Sequence, residues 1–136
     1  MKVYKEFNIN KSHRKSIILI GNFDGVHLGH RKLFNLAKNF SEKFKIKIGV
    51  LTFDPMPKIF FNKKIKNFKI SNFEQKKNLL KELGVQFIIN KKFDLSFSKT
   101  IATEPAHNSL LFPLSTIKSG FVHTICLFIF FSNKSL

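Results

Sequence analysis

The sequence predicts an α/β domain with a parallel sheet, and three features carry that expectation. An aliphatic run at Ile17–Ile20 ends at a glycine, as a buried strand does on reaching a turn. An amphipathic stretch follows it. A second apolar run, Lys45–Phe53, then completes a strand–helix–strand unit. A crossover of this length joins parallel strands through a right-handed connection.

The elements follow in order. Met1–Lys15 opens with a short strand at Val3–Phe7 and continues as a polar connector containing His13 and Arg14. Between Gly29 and Phe44, the residues Leu33, Leu36, Ala37, Phe40 and Phe44 fall on one helical stripe. Ile46, Ile48, Val50 and Leu51 supply the apolar side chains of the second strand. The stretch Ile59–Phe68 is lysine-rich and punctuated by Phe60, Phe61, Ile65 and Phe68. It reads as a loop or flap with packed aromatics and solvated lysines, rather than as a single-stranded nucleic-acid platform. Ser71-Asn72-Phe73-Glu74 has the form of a capping box with Ser71 as N-cap and Glu74 three residues on. Leu79, Leu80 and Leu83 line the helix it starts, Gly84 closes it, and Val85–Ile89 reads as a third strand.

The chemistry-bearing residues lie between the first strand and the first helix: Gly21, Asn22, Phe23, Asp24, Gly25, Val26, His27, Leu28, Gly29 and His30. A strand, a tight turn and a helix N-terminus bring backbone N–H groups together where a phosphate can bind. The glycines permit close backbone approach. His27 and His30, three apart, share a face if the helix starts near His27, and two imidazoles there can donate to phosphoryl oxygens as charge develops. On residue chemistry alone a second reading stands beside this one: the glycines make an ordinary turn, and the histidines are structural or merely exposed. Asp24 before a glycine commonly caps a turn. A second motif, Thr52-Phe53-Asp54-Pro55-Met56-Pro57, ends the Lys45–Phe53 strand. Ligands of open α/β sheets bind outside the carboxyl ends of strands, so this turn is expected to face the same crevice. Its plainer reading is a strand-ending turn stiffened by two prolines.

Gly-Asn-Phe-Asp-Gly-Val-His-Leu-Gly-His at 21–30 resembles the signature of the bacterial bifunctional FAD synthetases, the riboflavin kinase/FMN adenylyltransferases. Thr-Phe-Asp-Pro-x-Pro at 52–57 is similar to that family's flavin-side loop, with Met56 where the family usually has His. Glu74-Gln75-Lys76, Gly84 and Phe93-Asp94 extend the likeness. The resemblance implies a Rossmann-like nucleotidyltransferase domain that transfers AMP from ATP to FMN, giving FAD and pyrophosphate. It assigns His27 and His30 to catalysis and Gly21, Asn22, Phe23, Asp24, Gly25 and Gly29 to ATP and its phosphates. Thr52, Phe53, Asp54 and Pro55 go to the flavin side. Mg2+ would be held mainly by ATP phosphates and water, so no protein metal site is expected. Two alternatives are weighed against this: another His-x-Gly-His nucleotidyltransferase with a different acceptor, and a non-catalytic basic protein binding nucleotide or nucleic acid.

Composition bounds the remainder. At 136 residues the chain has room for one domain with a real core. The formal charge of +16 would ordinarily point to a polyanion, but the lysines are scattered through Lys2–Lys99, which fits a solvated surface and makes nucleic acid a minor reading. One cysteine, Cys126, rules out an internal disulfide or a Cys-based zinc site and fits a cytoplasmic protein. The longest apolar run, Phe121–Phe131, is about half of the roughly 20 residues a membrane span needs. Of the 24 basic residues only Lys118 and Lys134 lie beyond Lys99, and of the 8 acidic residues only Glu104. That shift, with the loss of the family's later nucleotide-binding segments, places a boundary near 99. Leu114–Lys118, faintly similar to one of those segments, comes too early to serve. The expectation is a partial adenylyltransferase domain over 1–99 and a tail over 100–136 that is frameshifted or foreign. On this reading a riboflavin kinase domain, which the resemblance would place next, is expected to be absent. Nothing in the sequence speaks to oligomeric state.

Overall fold

The structure is a computed structural model that describes residues 1–62, 70–103 and 128–130. The strand β1 (Lys2–Tyr4) leads through a 3-10 turn at Lys11–His13 to β2 (Ser16–Ile20) and then α1 (Leu28–Phe44). The chain continues through β3 (Lys47–Asp54), α2 (Pro57–Phe61), α3 (Phe73–Glu82), β4 (Phe87–Lys92), α4 (Leu95–Thr103) and β5 (Phe128–Phe130). The sheet order is β1-β4-β3-β2-β5. The first four strands pair in parallel, with Ile18 beside Gly49 and Val50 beside Ile88. The last strand, β5, runs antiparallel along β2, with Leu19 beside Phe128.

Both faces of the sheet are covered, which is why its central strands read as unbroken apolar runs. Every residue of β2 is buried. On one face Ile17, Leu19, Ile48, Val50 and Ile88 pack with Phe34 and Ala37 of α1 and Leu80 of α3. On the other, Ile18, Ile20, Leu51, Phe53, Phe87 and Ile89 pack with Phe93, joined by Phe60 of α2 and Phe97 of α4. Gly49 sits where a Cβ would lie 2.3 Å from Cζ of Phe87, so the ring occupies the place of the missing side chain.

Four expectations need correction. The first strand is Lys2–Tyr4 rather than Val3–Phe7. The polar connector is partly core: His13 is buried, its ring stacked on Phe87 at 4.5 Å between centroids, with Nδ1 2.8 Å from the Tyr4 hydroxyl. The buried stripe of α1 is His30, Phe34 and Ala37, while Leu36, Phe40 and Phe44 face outward. In a chain with 18 phenylalanines two overlapping stripes of the same period exist, and the pattern alone does not choose between them. The capping box is shifted by one residue. Asn72 Oδ1 accepts from the Gln75 N–H and Gln75 Oε1 from the Asn72 N–H, both at 2.9 Å, because the Ser71 hydroxyl is engaged elsewhere. Residues 63–68 of the lysine-rich stretch, Leu114–Lys118, Cys126 and the Phe121–Phe131 run except for β5 lie outside the described residues.

Candidate active site

The turn from β2 into α1 is held by its own side chains. Phe23 and Val26 both have positive φ, 47° and 25°, in a region that bulky and β-branched residues avoid. Both are plugged into the core, 1% and 6% exposed. Burial of the two side chains therefore over-determines a backbone path that local preference opposes, an arrangement concentrated at ligand sites. Gly25 takes φ 73° between them.

His27 is the N-cap of α1: its Nδ1 accepts from the Gly29 N–H at 3.2 Å. With Nδ1 so used, the proton of a neutral ring sits on Nε2, which is left to donate outward. The His30 ring stacks on the His27 ring, 3.7 Å between centroids and 24° from parallel, and meets Phe23 edge-on at 5.1 Å. His27 is exposed and His30 buried. Burial, helped by the neighbouring His27, pushes the His30 pKa down to about 4, so this ring is neutral at pH 7. A Cβ on Gly29 would come within 3.1 Å of the His27 ring, so the glycine between the histidines makes room for the first of them. The pair stands at the positive end of a 17-residue helix.

Asp24 spans the site. Its Oδ2 accepts from the Ile70 N–H, and its Oδ1 from the N–H and hydroxyl of Ser71, all at 2.8 Å. Burial alone would raise its pKa; the hydrogen bonds from Ile70 and Ser71 outweigh it and hold the carboxylate below its usual range. A cleft opens at the carboxyl ends of β3 and β4. It is lined by Phe53, Asp54 and Met56 from the end of β3 and just beyond it, Asn90 of β4, and Ser71, Phe73 and Lys76 from the start of α3 and the residues before it. Met56 is buried here. Thr52, one step back on β3 and beside Asn90 in register, is 1% exposed, and its Oγ1 has no hydrogen-bond partner among the described residues. The Asp54–Pro55 peptide is cis.

The structure thus brings His27, His30 and Gly29 together at the α1 N-terminus, and Phe53 and Asp54 to the cleft. Asp24 joins the two regions. Sequence reading missed Ser71, Phe73, Lys76 and Asn90 as parts of a site. Lys76 carried a signal as part of the Glu74-Gln75-Lys76 likeness, whereas Asn90 is placed by the parallel register, which sets it beside Thr52 at the carboxyl end of the sheet. Among the described residues no three His, Cys, Asp or Glu side chains converge as a metal site, and no helix is long and apolar enough to cross a membrane.

A parallel sheet flanked by helices, with paired histidines at the N-terminus of the helix after its second strand, defines a Rossmann-like α/β domain of the nucleotidyltransferase type. Residues 9–125 match the FAD synthetase family, a span that runs past Lys99. The chain belongs to that family. It is 34% identical over 104 residues to the bifunctional riboflavin kinase/FMN adenylyltransferase of Buchnera aphidicola subsp. Acyrthosiphon pisum, covering 76% of this chain and 33% of the relative. The Bacillus subtilis protein of the same description is 34% identical over 91 residues, covering 66% and 29%. The Escherichia coli K12 protein is 30% identical over 96 residues, covering 70% and 31%. The chain therefore spans about a third of the length of the curated relatives it matches. Among solved structures, a Streptococcus pneumoniae protein described as a macrolide-efflux protein superposes with a TM-score of 0.56 at 27% identity, over 71% of this chain and 32% of that one.

Proposed function

We propose that this chain carries the ATP-binding half-site of an FMN adenylyltransferase and uses it to move AMP from ATP to FMN. A phosphate oxygen of FMN attacks the α-phosphorus of ATP, the bond to the β-phosphate oxygen breaks, and FAD and pyrophosphate leave. Such chemistry rests on positioning and on stabilising charge at phosphoryl oxygens. The observation that carries the reading is the stacked His27–His30 pair at the α1 N-terminus. His27 offers Nε2–H to a phosphoryl oxygen. His30, neutral at pH 7, carries one ring N–H, the donor this reading assigns to the charge developing on the phosphoryl oxygens. The backbone of Gly21, Asn22, Phe23, Gly25 and Gly29 lines the nucleotide side. Phe53, Asp54, Pro55 and Thr52 lie on the acceptor side, where the relatives' names point to a flavin. In this reading Mg2+ travels with the ATP phosphates, since no three His, Cys, Asp or Glu side chains converge among the described residues. This proposal includes a cytoplasmic setting, which the single cysteine supports.

The assay is FAD formation from FMN and ATP by the purified chain, with CTP and other phosphorylated acceptors as controls. FAD from ATP and FMN alone supports the reading; a product with another acceptor replaces it. His30→Ala is expected to lower kcat by about 10²–10³, the scale of losing one preorganised donor. Turnover at the parent rate would remove His30 from the reaction. A division near residue 99 rests on the composition change, and translating the other frames beyond the Lys99 codon tests it.

A further inference from the structure

We infer that Asp24 is a positioning residue that fixes the wall of the acceptor cleft to the histidine loop, rather than a phosphate ligand. This inference rests on the function proposed above. The carboxylate cannot itself attract a phosphate, since it is anionic and both of its oxygens already accept hydrogen bonds. Its three donors come from Ile70 and Ser71, which lead directly into α3. Ser71, Phe73 and Lys76 of that segment line the cleft together with Phe53 and Met56.

The geometry explains why an acid is needed. Two backbone N–H groups and a hydroxyl converge from one side, and only a carboxylate offers two acceptor oxygens to them at once. An Asn would turn its NH2 toward one of the N–H donors. The cross-link also has no local substitute: Asn72 caps α3 without reference to the histidine loop, so α3 would stay helical while its distance from that loop became free. Gly25, next to Asp24, has its Cα side against Ile70, where an added Cβ would stand 3.2 Å from Cγ2, so the two segments are also in van der Waals contact. The histidine side and the cleft side are therefore tied together by the Asp24 carboxylate, with the Gly25–Ile70 contact beside it.

The test uses the full chain with FMN fluorescence quenching and a non-hydrolysable ATP analogue. Asp24→Asn is expected to weaken FMN binding about tenfold, the scale of losing a charge-assisted hydrogen bond, and to change analogue binding by less than about threefold. Leu80→Val, a core change in the same helix remote from the cleft, serves as the control for plain destabilisation. Asp24→Glu, which keeps the charge, is expected to restore part of the FMN affinity. Unchanged FMN affinity in Asp24→Asn overturns the positioning role. So does an equal loss in Leu80→Val at matched thermal stability, or loss of analogue binding as large as that of FMN. If the parent chain binds neither FMN nor the analogue, the proposed function itself fails, and the inference fails with it.

Discussion

Thr52 is a residue at which stability and the proposed function pull apart. A buried hydroxyl with no partner among the described residues forfeits its hydration and regains nothing within the fold. Thr52→Val keeps the shape and removes the unmet group, so it is expected to stabilise the chain by about 1 kcal/mol, read as a higher urea midpoint. It should also weaken FMN binding if the hydroxyl is kept for the acceptor. A destabilised Thr52→Val would show that the hydroxyl is satisfied within the fold. Single residues of this kind were only half legible. The spacing of His27 and His30 announced a shared face, and the rings are stacked. The role of Asp24 was not, because its partners lie 46 and 47 residues away and no local pattern registers them.

At the scale of elements, Gly49 governs how β3 meets β4. Its empty Cβ position is filled by the Phe87 ring, and neither backbone nor ring can yield by the ångström that a methyl group would require. Gly49→Ala is therefore expected to cost about 1–3 kcal/mol, and Gly49→Ala with Phe87→Leu should recover much of that loss in chemical denaturation. Additive losses would show that the ring is not what Gly49 accommodates. The strands β2, β3 and β4 and the helices α1 and α3 could be read from the chain because apolar runs and helical periods are local signals. The pairing of β5 with β2 could not, since backbone hydrogen bonding between distant segments leaves no trace in composition. The capping box was legible as a box and misplaced by one step, because Ser71 and Asn72 are both good caps and a tertiary contact decides between them.

At the scale of the whole molecule, two buried histidines tie stability to pH. His30 titrates at about 4 in the fold, and the His13 pKa is also lowered, by burial and then by Lys47 and Lys2. The unfolded chain then binds protons that the native state refuses, so stability falls as pH drops from about 6.5 toward about 4 and is complete above that window. Asp24, held below its usual range, adds its own loss only at lower pH. Urea midpoints at pH 7.5 and 4.5 should differ, and His30→Gln should shrink the difference; an unchanged slope would place the acid sensitivity elsewhere. The clamp at Asp24 has a consequence in time as well as in space. It closes a loop of 46 residues, and the β2–α1–β3 unit and the start of α3 must all be in place before it can form. During refolding, capture of a nucleotide analogue at the histidine loop should therefore precede capture of FMN, with the helical signal already complete. Simultaneous arrival of both would mean that the cleft wall is set by packing before the carboxylate is engaged.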